Sequence, residues 1–196
     1  WEYWAVETDN ALAYTDGNGR VTIPPEHRPP FAVVLANTET DVTARITVRG
    51  PDGQIAEAIA AREVRSDRRN PGEEWVTVFS ETVDRSGQRI GGPHSGLIQD
   101  IELPPDGMLT LLLPNQDIPS GESSVTATAY QVTSSQPVVA YQFNPFCCNY
   151  NHTNDASLLW PPSALTGNYL MMGHAVWAGT EVGRLPGPRS PTITVV

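Results

Sequence analysis

The stretch FAVVLANTETDVTARITVRGPDG, residues 31–53, contains three signals that together indicate an antiparallel β-protein. Residues 31–37 form a nearly continuous apolar run, typical of a central strand that is buried on both faces. Residues 42–49 alternate, with Val, Ala, Ile and Val on one side and Thr and Arg on the other. Gly50-Pro-Asp-Gly53 is a strong turn sequence. We therefore expect a hairpin in which residues 42–49 pair with residues 54–60.

The rest of the chain repeats this pattern of short apolar or alternating runs between turn residues. Turn signals recur roughly every 8–15 residues, and no window of about 12 residues shows the helical period. The further predicted strands are Glu2–Glu7, Arg20–Ile23, Trp75–Val83, Leu97–Leu103, Met108–Leu113, Ser124–Thr133 and Val138–Phe143. We expect the last two to pair with each other across residues 134–137. The predicted fold class is all-β, an antiparallel β-sandwich module.

Some segments depart from the strand pattern. Residues 62–74 (REVRSDRRNPGEE) are densely charged and predict a solvated insertion, and residues 163–166 fit one helical turn. Residues 192–196 (TITVV) again have the composition of a strand. The predicted domain organisation is a β-sandwich module over residues 1–172, followed by residues 173–196 as the start of a second β module or as an exchanged or edge strand.

Composition excludes several classes of protein. The 196 residues include 18 Pro, and each Pro inside a helix costs about 3 kcal/mol, which disfavours long helices. No run of about 18 apolar residues exists that would predict a membrane-spanning helix. The formal net charge is −10, and the chain has no Lys beside its 12 Arg. Nucleic acid is therefore an unfavourable partner, because phosphate binding needs clustered cations.

The two cysteines, Cys147 and Cys148, are adjacent in sequence. They are two reduced thiols, they pair with cysteines outside this chain, or they form a vicinal disulfide, which is the interpretation that we favour. Neighbouring Cα atoms are ~3.8 Å apart, below the usual range of ~4.4–6.8 Å for a disulfide, so a vicinal bridge is strained. Zinc binding by the pair alone is disfavoured, because structural zinc takes four ligands.

The cysteines lie in an unusual stretch, NPFCCNYNHT, at residues 144–153. Its aromatic and amide side chains can stabilise a compact loop, or they can form a binding loop, for which we name Asn149, Tyr150, Asn151 and His152. Two other fragments, residues 16–19 (DGNG) and Asn154-Asp155, could offer oxygen ligands to Ca²⁺. The alternative for both is an Asx turn, in which the side chain bonds its own backbone.

The residue patterns do not predict an enzyme. The four histidines have no metal-binding or catalytic spacing. Ser95, in GPHSG, is displaced by one position from a nucleophile elbow, which in any case needs an α/β sheet. Glu73 and Glu74 form a carboxylate pair, but they lie in the charged segment and not on a rigid element, as a glycosidase requires. We therefore predict no catalytic residues, no metal site and no cofactor beyond the two candidate calcium fragments.

The five tryptophans are Trp1, Trp4, Trp75, Trp160 and Trp177. They could form a platform on which carbohydrate rings stack. Isolated tryptophans on strands are more often anchors of a core or of an interface between domains. We expect that second role for Trp4, Trp75 and Trp160.

Four segments resemble the IgG-Fc-binding protein N-terminal domain family. They are residues 108–146 (MLTLLLPNQDIPSGESSVTATAYQVTSSQPVVAYQFNPF), 153–172 (TNDASLLWPPSALTGNYLMM), 2–11 (EYWAVETDNA) and 31–48 (FAVVLANTETDVTARITV). The resemblance implies tandem extracellular β-modules without enzymatic activity. The absence of Lys and the high content of Arg and Pro favour a bacterial secreted or surface member over an animal one.

The expected function is that of a non-enzymatic extracellular β-sandwich module of a bacterial cell-surface or secreted protein, acting in adhesion or recognition of a protein or glycan ligand. The first residue is a Trp inside a predicted strand, which fits a mature or trimmed secreted chain. The alternative is a structural subunit of a surface fibre or appendage, in which residues 3–7 or 192–196 add to the sheet edge of another copy. A carbohydrate-active or metal-dependent enzyme is a remote alternative.

Overall fold

The computed structural model describes residues 1–7, 30–65, 75–116, 127–144, 146, 155–165 and 167. These residues form β-strands and one 3-10 helix (Pro162–Ala164), and they include no α-helix. The strands are β1 (Glu2–Val6), β2 (Phe31–Ala36), β3 (Ala44–Arg49), β4 (Glu57–Ala58), β5 (Ala61–Arg65), β6 (Trp75–Phe79), β7 (Glu81–Val83), β8 (Arg89–Gly91), β9 (Gly96–Leu97), β10 (Ile101–Leu103), β11 (Met108–Leu113), β12 (Ala129–Ser134), β13 (Val139–Asn144) and β14 (Asp155–Leu159). The described residues contain no helix that could span a membrane.

Two larger sheets form the body of the described structure. The four-stranded sheet has the order β1-β12-β3-β10, and the six-stranded sheet has the order β14-β13-β2-β11-β7-β8. Two further pairs, β4 with β9 and β5 with β6, lie beside them. Neighbouring strands are antiparallel throughout. The predicted all-β fold and antiparallel sandwich are confirmed.

The core lies between the two sheets. Alternate residues of β2 and β11 face it from the six-stranded sheet, and alternate residues of β1, β3 and β12 face it from the four-stranded sheet. These side chains are Phe31, Val33, Leu35, Leu109, Leu111, Leu113, Tyr3, Ala5, Ala44, Ile46, Val48, Tyr130 and Val132. Burying one such Leu or Ile contributes roughly 1.5–3 kcal/mol, so the two-residue period of these strands is what holds the sheets together.

The stretch 31–53 behaves largely as predicted. In β2 all residues from Phe31 to Leu35 are buried, as expected for a strand covered on both faces. The turn at residues 50–53 is confirmed, since the Gly53 N–H donates to the Gly50 carbonyl at 2.9 Å. The hairpin beyond it is short, because after Ala56 the chain leaves β3 and β4 pairs with β9 instead.

The predicted pairing of residues 124–133 with 138–143 is wrong. Both segments form strands, but β12 lies in the four-stranded sheet and β13 in the six-stranded sheet. The edges of β12 are occupied by β1 and β3, and those of β13 by β2 and β14. The chain between Ser134 and Val138 therefore crosses from one sheet to the other. The buried side of β12 faces the core from the four-stranded sheet, and the buried side of β13 faces it from the six-stranded sheet.

Three other predicted segments are corrected. The charged insertion begins later than residue 62, because residues 61–65 form β5 and pair with β6. The predicted strand 75–83 divides at Ser80, whose fully buried hydroxyl donates to the Ile59 carbonyl and accepts from the Leu112 N–H. The predicted strand 97–103 divides at Asp100, whose φ of 53° turns the chain. Residues 20–23, 66–74 and 173–196 lie outside the described residues, so those predictions are not tested.

Candidate functional site

The longest connections gather at one end of the sandwich, which we call the loop end. Val6, Phe31 and Asn144 lie there: the Val6 N–H donates to the side chain of Gln142, and the rings of Phe31 and Tyr130 stack with centroids 5.9 Å apart. Residues 8–29, 117–126, and 145 with 147–154, whose structure is not described, belong to connections between strands whose adjoining ends lie at the loop end.

The opposite end of the sandwich, the turn end, has short described connections. Residues 104–107 close a turn in which the Gly107 N–H donates to the Pro104 carbonyl at 3.1 Å. Residues 84–88 form another turn, in which the Asp84 N–H donates to the Gln88 carbonyl at 2.9 Å. Loops on a rigid scaffold are the usual place for binding residues, so the loop end is the candidate functional site.

A cleft of about 480 Å³ opens at the loop end. The turn at residues 50–53 forms one wall, and Pro114, Gln116 and Tyr130 form the other. Ile55 adds an apolar surface to the floor. The cleft is thus built from the ends of β3, β11 and β12, three strands that the sandwich holds in fixed positions.

A hydrogen-bond network shapes the wall beside Tyr130. The Tyr130 hydroxyl donates to the Pro114 carbonyl at 2.8 Å and accepts from the Gln116 side-chain amide at 2.6 Å. The Glu7 carboxylate, just after β1, accepts from the Gln116 backbone N–H and from the Asn115 side chain. One carboxylate from the start of the chain therefore holds the segment that follows β11.

The electrostatics of the cleft are negative. Asp52 and Glu57 line it, and Glu7 lies behind Gln116. Burial raises the pKa of Tyr130 to about 12, and the negative charges of Glu7 and Asp52 add to the rise. A guanidinium also lies at the turn, where Arg49 donates to the Gly53 carbonyl at 3.0 Å. Three carboxylates against one guanidinium favour cationic groups in the cleft over anionic ones.

A second cleft, of about 370 Å³, lies at the turn end and includes Asp84 and Asp106. The Asp84 carboxylate is occupied by local contacts, since it accepts from the Ser86 hydroxyl, the Ser86 N–H and the Gln88 N–H. The hydrogen bond from the Ser86 hydroxyl is the main cause that lowers the pKa of Asp84, and the bond from the Gln88 N–H adds to it. This carboxylate stabilises its own turn through three hydrogen bonds, whereas Asp52 in the first cleft accepts one described bond, from the Gln54 N–H at 3.0 Å.

The described residues do not assemble a catalytic or metal-binding set. They contain no group of three or more His, Cys, Asp or Glu side chains that could hold a metal ion. The His94 ring contacts the Thr82 hydroxyl at 2.8 Å, and burial lowers the pKa of His94. Ser95 is exposed beside it and has no described hydrogen bond to an acid or base.

Each residue named for the site from sequence lies outside the described residues: Cys147, Cys148, Asn149, Tyr150, Asn151 and His152. No disulfide was found in the described ranges, which contain neither cysteine. The predicted loop leaves β13 and returns to β14 at neighbouring positions, because Asn144 pairs with Asp155. At its base the rings of Phe143 and Phe146 meet edge to face at 5.6 Å, and the Phe146 N–H donates to the Pro30 carbonyl. The calcium fragment at residues 16–19 also lies outside the described part.

The predicted role of three tryptophans is in the core or in an interface between domains, and the core alternative is wrong. Trp4, Trp75 and Trp160 are 38%, 45% and 62% exposed. Trp4 faces outward because Tyr3 and Ala5 take the inward positions of β1. A role in an interface is not tested by these exposures.

The cleft residues were not identifiable from sequence. Glu7 and Gln116 are 109 positions apart, and they meet because the end of β1 in the four-stranded sheet lies near the end of β11 in the six-stranded sheet. Tyr130 alternates with other inward residues of β12, so its sequence pattern is that of a core residue. The net charge of −10 is the one sequence signal consistent with an acidic cleft, and it does not locate the cleft.

Comparisons with protein-family models, with curated proteins and with solved structures found no match to this chain. The resemblance to the IgG-Fc-binding protein N-terminal domain family therefore stays a prediction.

Proposed function

We propose that this chain is a non-enzymatic recognition module of a bacterial cell-surface or secreted protein, and that the loop end binds an extracellular protein or glycan. The observation that carries the proposal is the coincidence of two features at that end: the longest connections and an acidic cleft. Membership of the IgG-Fc-binding protein N-terminal domain family would account for the same role.

The chemistry of the cleft defines the ligand group that fits it. Tyr130 and Gln116 supply an aromatic surface and hydrogen-bonding atoms, and Asp52 and Glu57 supply negative charge. A cationic group, such as an exposed Arg or Lys of a protein or the amine of an amino sugar, would gain both contacts. An anionic group would be repelled by the same carboxylates.

The test is a binding measurement against immobilised immunoglobulin Fc, mucin and an amino-sugar polymer. The double substitution Asp52→Asn with Glu57→Gln should weaken binding by about tenfold, which corresponds to ~1.4 kcal/mol. Asp41→Asn is the matched control, since Asp41 is an exposed carboxylate before β3 at the turn end. Binding that is lost in the control variant and kept in the double variant would contradict the proposal.

For Cys147 and Cys148 we propose the vicinal disulfide, which would stiffen the connection between β13 and β14. Alkylating reagents should then label neither cysteine in the native protein before a reductant is added. Mass spectrometry that finds two free thiols in the secreted protein would end this proposal.

A second candidate function is a structural subunit that assembles by strand addition. The position of β1 is the observation for it: β1 is the outermost strand of the four-stranded sheet and, among the described strands, pairs only with β12. Its edge is open only in part, since the Val6 N–H is taken by the Gln142 side chain. Residues 192–196, the other strand named for this role, lie outside the described residues. Fibres that disappear when residues 192–196 are deleted would support assembly, whereas a monomer of unchanged size would oppose it.

A further inference from the structure

The two large sheets end in four outer strands, and three of them carry features that hinder strand addition. The edge strand β8 has three residues, a register irregularity against β7, and the charged Arg89. The edge strand β10 also has three residues, and its Glu102 forms an ion pair with Arg45 at 3.0 Å. Short strands, bulges and charges are the usual protection of a sheet edge.

The outer strand β1 is partly closed as well. The Val6 N–H is occupied by the side-chain oxygen of Gln142 at 2.9 Å, and Glu2 places a carboxylate on the strand. The remaining edge, β14, is regular over five residues, contains no proline and has its single charged residue, Asp155, at one end. Among the described outer strands it is therefore the least protected.

Two residues of β14 direct their backbone groups away from β13, towards an edge where no described strand pairs with them. Alternate residues of an antiparallel strand bond to the neighbour on each side. The Asn37 N–H donates to the Gly107 carbonyl, which sets this alternation for β2 and β11. When this alternation is followed through the pairing of β2 with β13 and then of β13 with β14, the backbone groups of Ser157 point towards β13. The N–H and C=O groups of Ala156 and Leu158 therefore point to the open edge.

The side chains beside this edge are apolar and exposed. Leu158 and Tyr141, which pair across β14 and β13, are 42% and 40% exposed on the outer face of the six-stranded sheet. Ala156 and Ser157 are exposed as well. Open backbone groups next to exposed apolar side chains are the features that an added strand would cover.

From this edge we infer a two-fold dimer, in which β14 pairs antiparallel with β14 of a second copy about an axis at Ser157. Ala156 then faces the partner's Leu158, and Leu158 faces the partner's Ala156. This register uses the outward backbone groups of both residues on each strand. A shift by two residues in either direction would pair Ala156 or Leu158 with a position outside β14. The six-stranded sheets of the two copies become one continuous sheet of twelve strands.

The strand is complementary to itself, which favours a second copy over a foreign peptide. In each of the two cross-strand pairs, the small Ala156 of one copy faces the large Leu158 of the other. The paired side chains therefore fill the same face without a clash. Because the contact is the same on both copies, it closes at two subunits. It differs in this from the open-ended assembly through β1 or residues 192–196, and it does not rest on ligand binding at the loop end.

Net charge predicts how the dimer responds to salt. Each copy carries a formal charge of −10, so two copies repel each other at low ionic strength. Screening by salt weakens that repulsion, and the backbone hydrogen bonds and apolar contacts of the edge are much less affected. The dissociation constant should therefore fall as salt is raised.

The first experiment is sedimentation of the 196-residue chain at high micromolar concentration and at high salt. We expect a dimer for the native sequence and a monomer for Leu158→Lys, because a charged side chain would be trapped at the new strand pair. Leu97→Lys is the control, since Leu97 is also exposed and lies on β9, away from β14. A native monomer, an open series of oligomers, or a dimer that survives Leu158→Lys would each overturn the inference.

A second experiment tests the register and does not depend on how Leu158→Lys folds. In the proposed dimer Ser157 faces the partner's Ser157 in a non-hydrogen-bonded pair, where Cα atoms are about 4.5 Å apart, within reach of a disulfide. Ser157→Cys should give a covalent dimer with a 157–157 linkage under mild oxidation. Ser163→Cys, exposed on the 3-10 helix, should not. Equal linkage in both variants, or no 157–157 linkage, would overturn the register.

Discussion

The Tyr3 hydroxyl donates a 2.7 Å hydrogen bond to the carbonyl oxygen of Val138 and accepts one of 3.2 Å from the Val138 N–H. Tyr3 lies on the edge strand β1 of the four-stranded sheet, and Val138 comes just before β13 of the six-stranded sheet. One buried side chain thus satisfies both backbone groups at the point where the chain crosses between the sheets.

Tyr3→Phe should destabilise the fold by roughly 1–3 kcal/mol, because it leaves the Val138 N–H and C=O buried without this partner. Denaturant unfolding measures the change. Tyr141→Phe is the control, because Tyr141 is exposed and its hydroxyl makes no hydrogen bond in the described structure. Equal losses in the two variants would show that the Tyr3 hydroxyl has no special role.

Leu111→Ala should cost roughly 2–5 kcal/mol, because Leu111 is fully buried in the core and its removal leaves a cavity between the sheets. Met108→Ala, on the same strand but at a position that is 42% exposed, should change stability by about 0.5 kcal/mol or less. Thermal unfolding of the two variants checks the difference. A larger loss for Met108→Ala would mean that the Met108 side chain is covered in solution.

The ionisation of Tyr130 should lower stability at high pH. Its pKa rises from 10.0 to about 12 on folding, so the unfolded chain releases this proton first. The unfolding free energy contributed by this group is constant below pH 10.0 and is lost as pH rises towards 12. Stability measured across this range should fall less in Tyr130→Phe than in the native chain. An ultraviolet titration with every tyrosine ionising near 10 would contradict the prediction.

Gly92→Ala should be more destabilising than Gly87→Ala. Both glycines have positive φ, 94° and 82°, so each substitution introduces backbone strain of about 1–3 kcal/mol. A Cβ at Gly92 would also lie 2.8 Å from the Ser80 carbonyl oxygen, whereas a Cβ at Gly87 would meet open space. Unfolding free energies that are equal for the two variants would show that the chain near Ser80 shifts freely.

The sequence by itself determined the fold class and most of the strands that form the core. The apolar run at residues 31–37, the alternation from Ala44 to Val48 and the turn at 50–53 are local signals, because side-chain direction in a strand depends only on position along the chain. The predicted strand Met108–Leu113 has the same bounds as β11 for that reason.

Only the tertiary structure decided which strands are neighbours and what the loop end contains. The two-residue alternation of β12 and β13 is compatible both with a hairpin and with a crossing between sheets. The crossing occurs because β1 and β3 pair with the two edges of β12, and β2 and β14 pair with the two edges of β13. Glu7 reaches Gln116, and Ala156 and Leu158 are left with open backbone groups, through pairings between distant segments. Contacts of this kind are set by the packing of the whole chain, and no local pattern of residues encodes them.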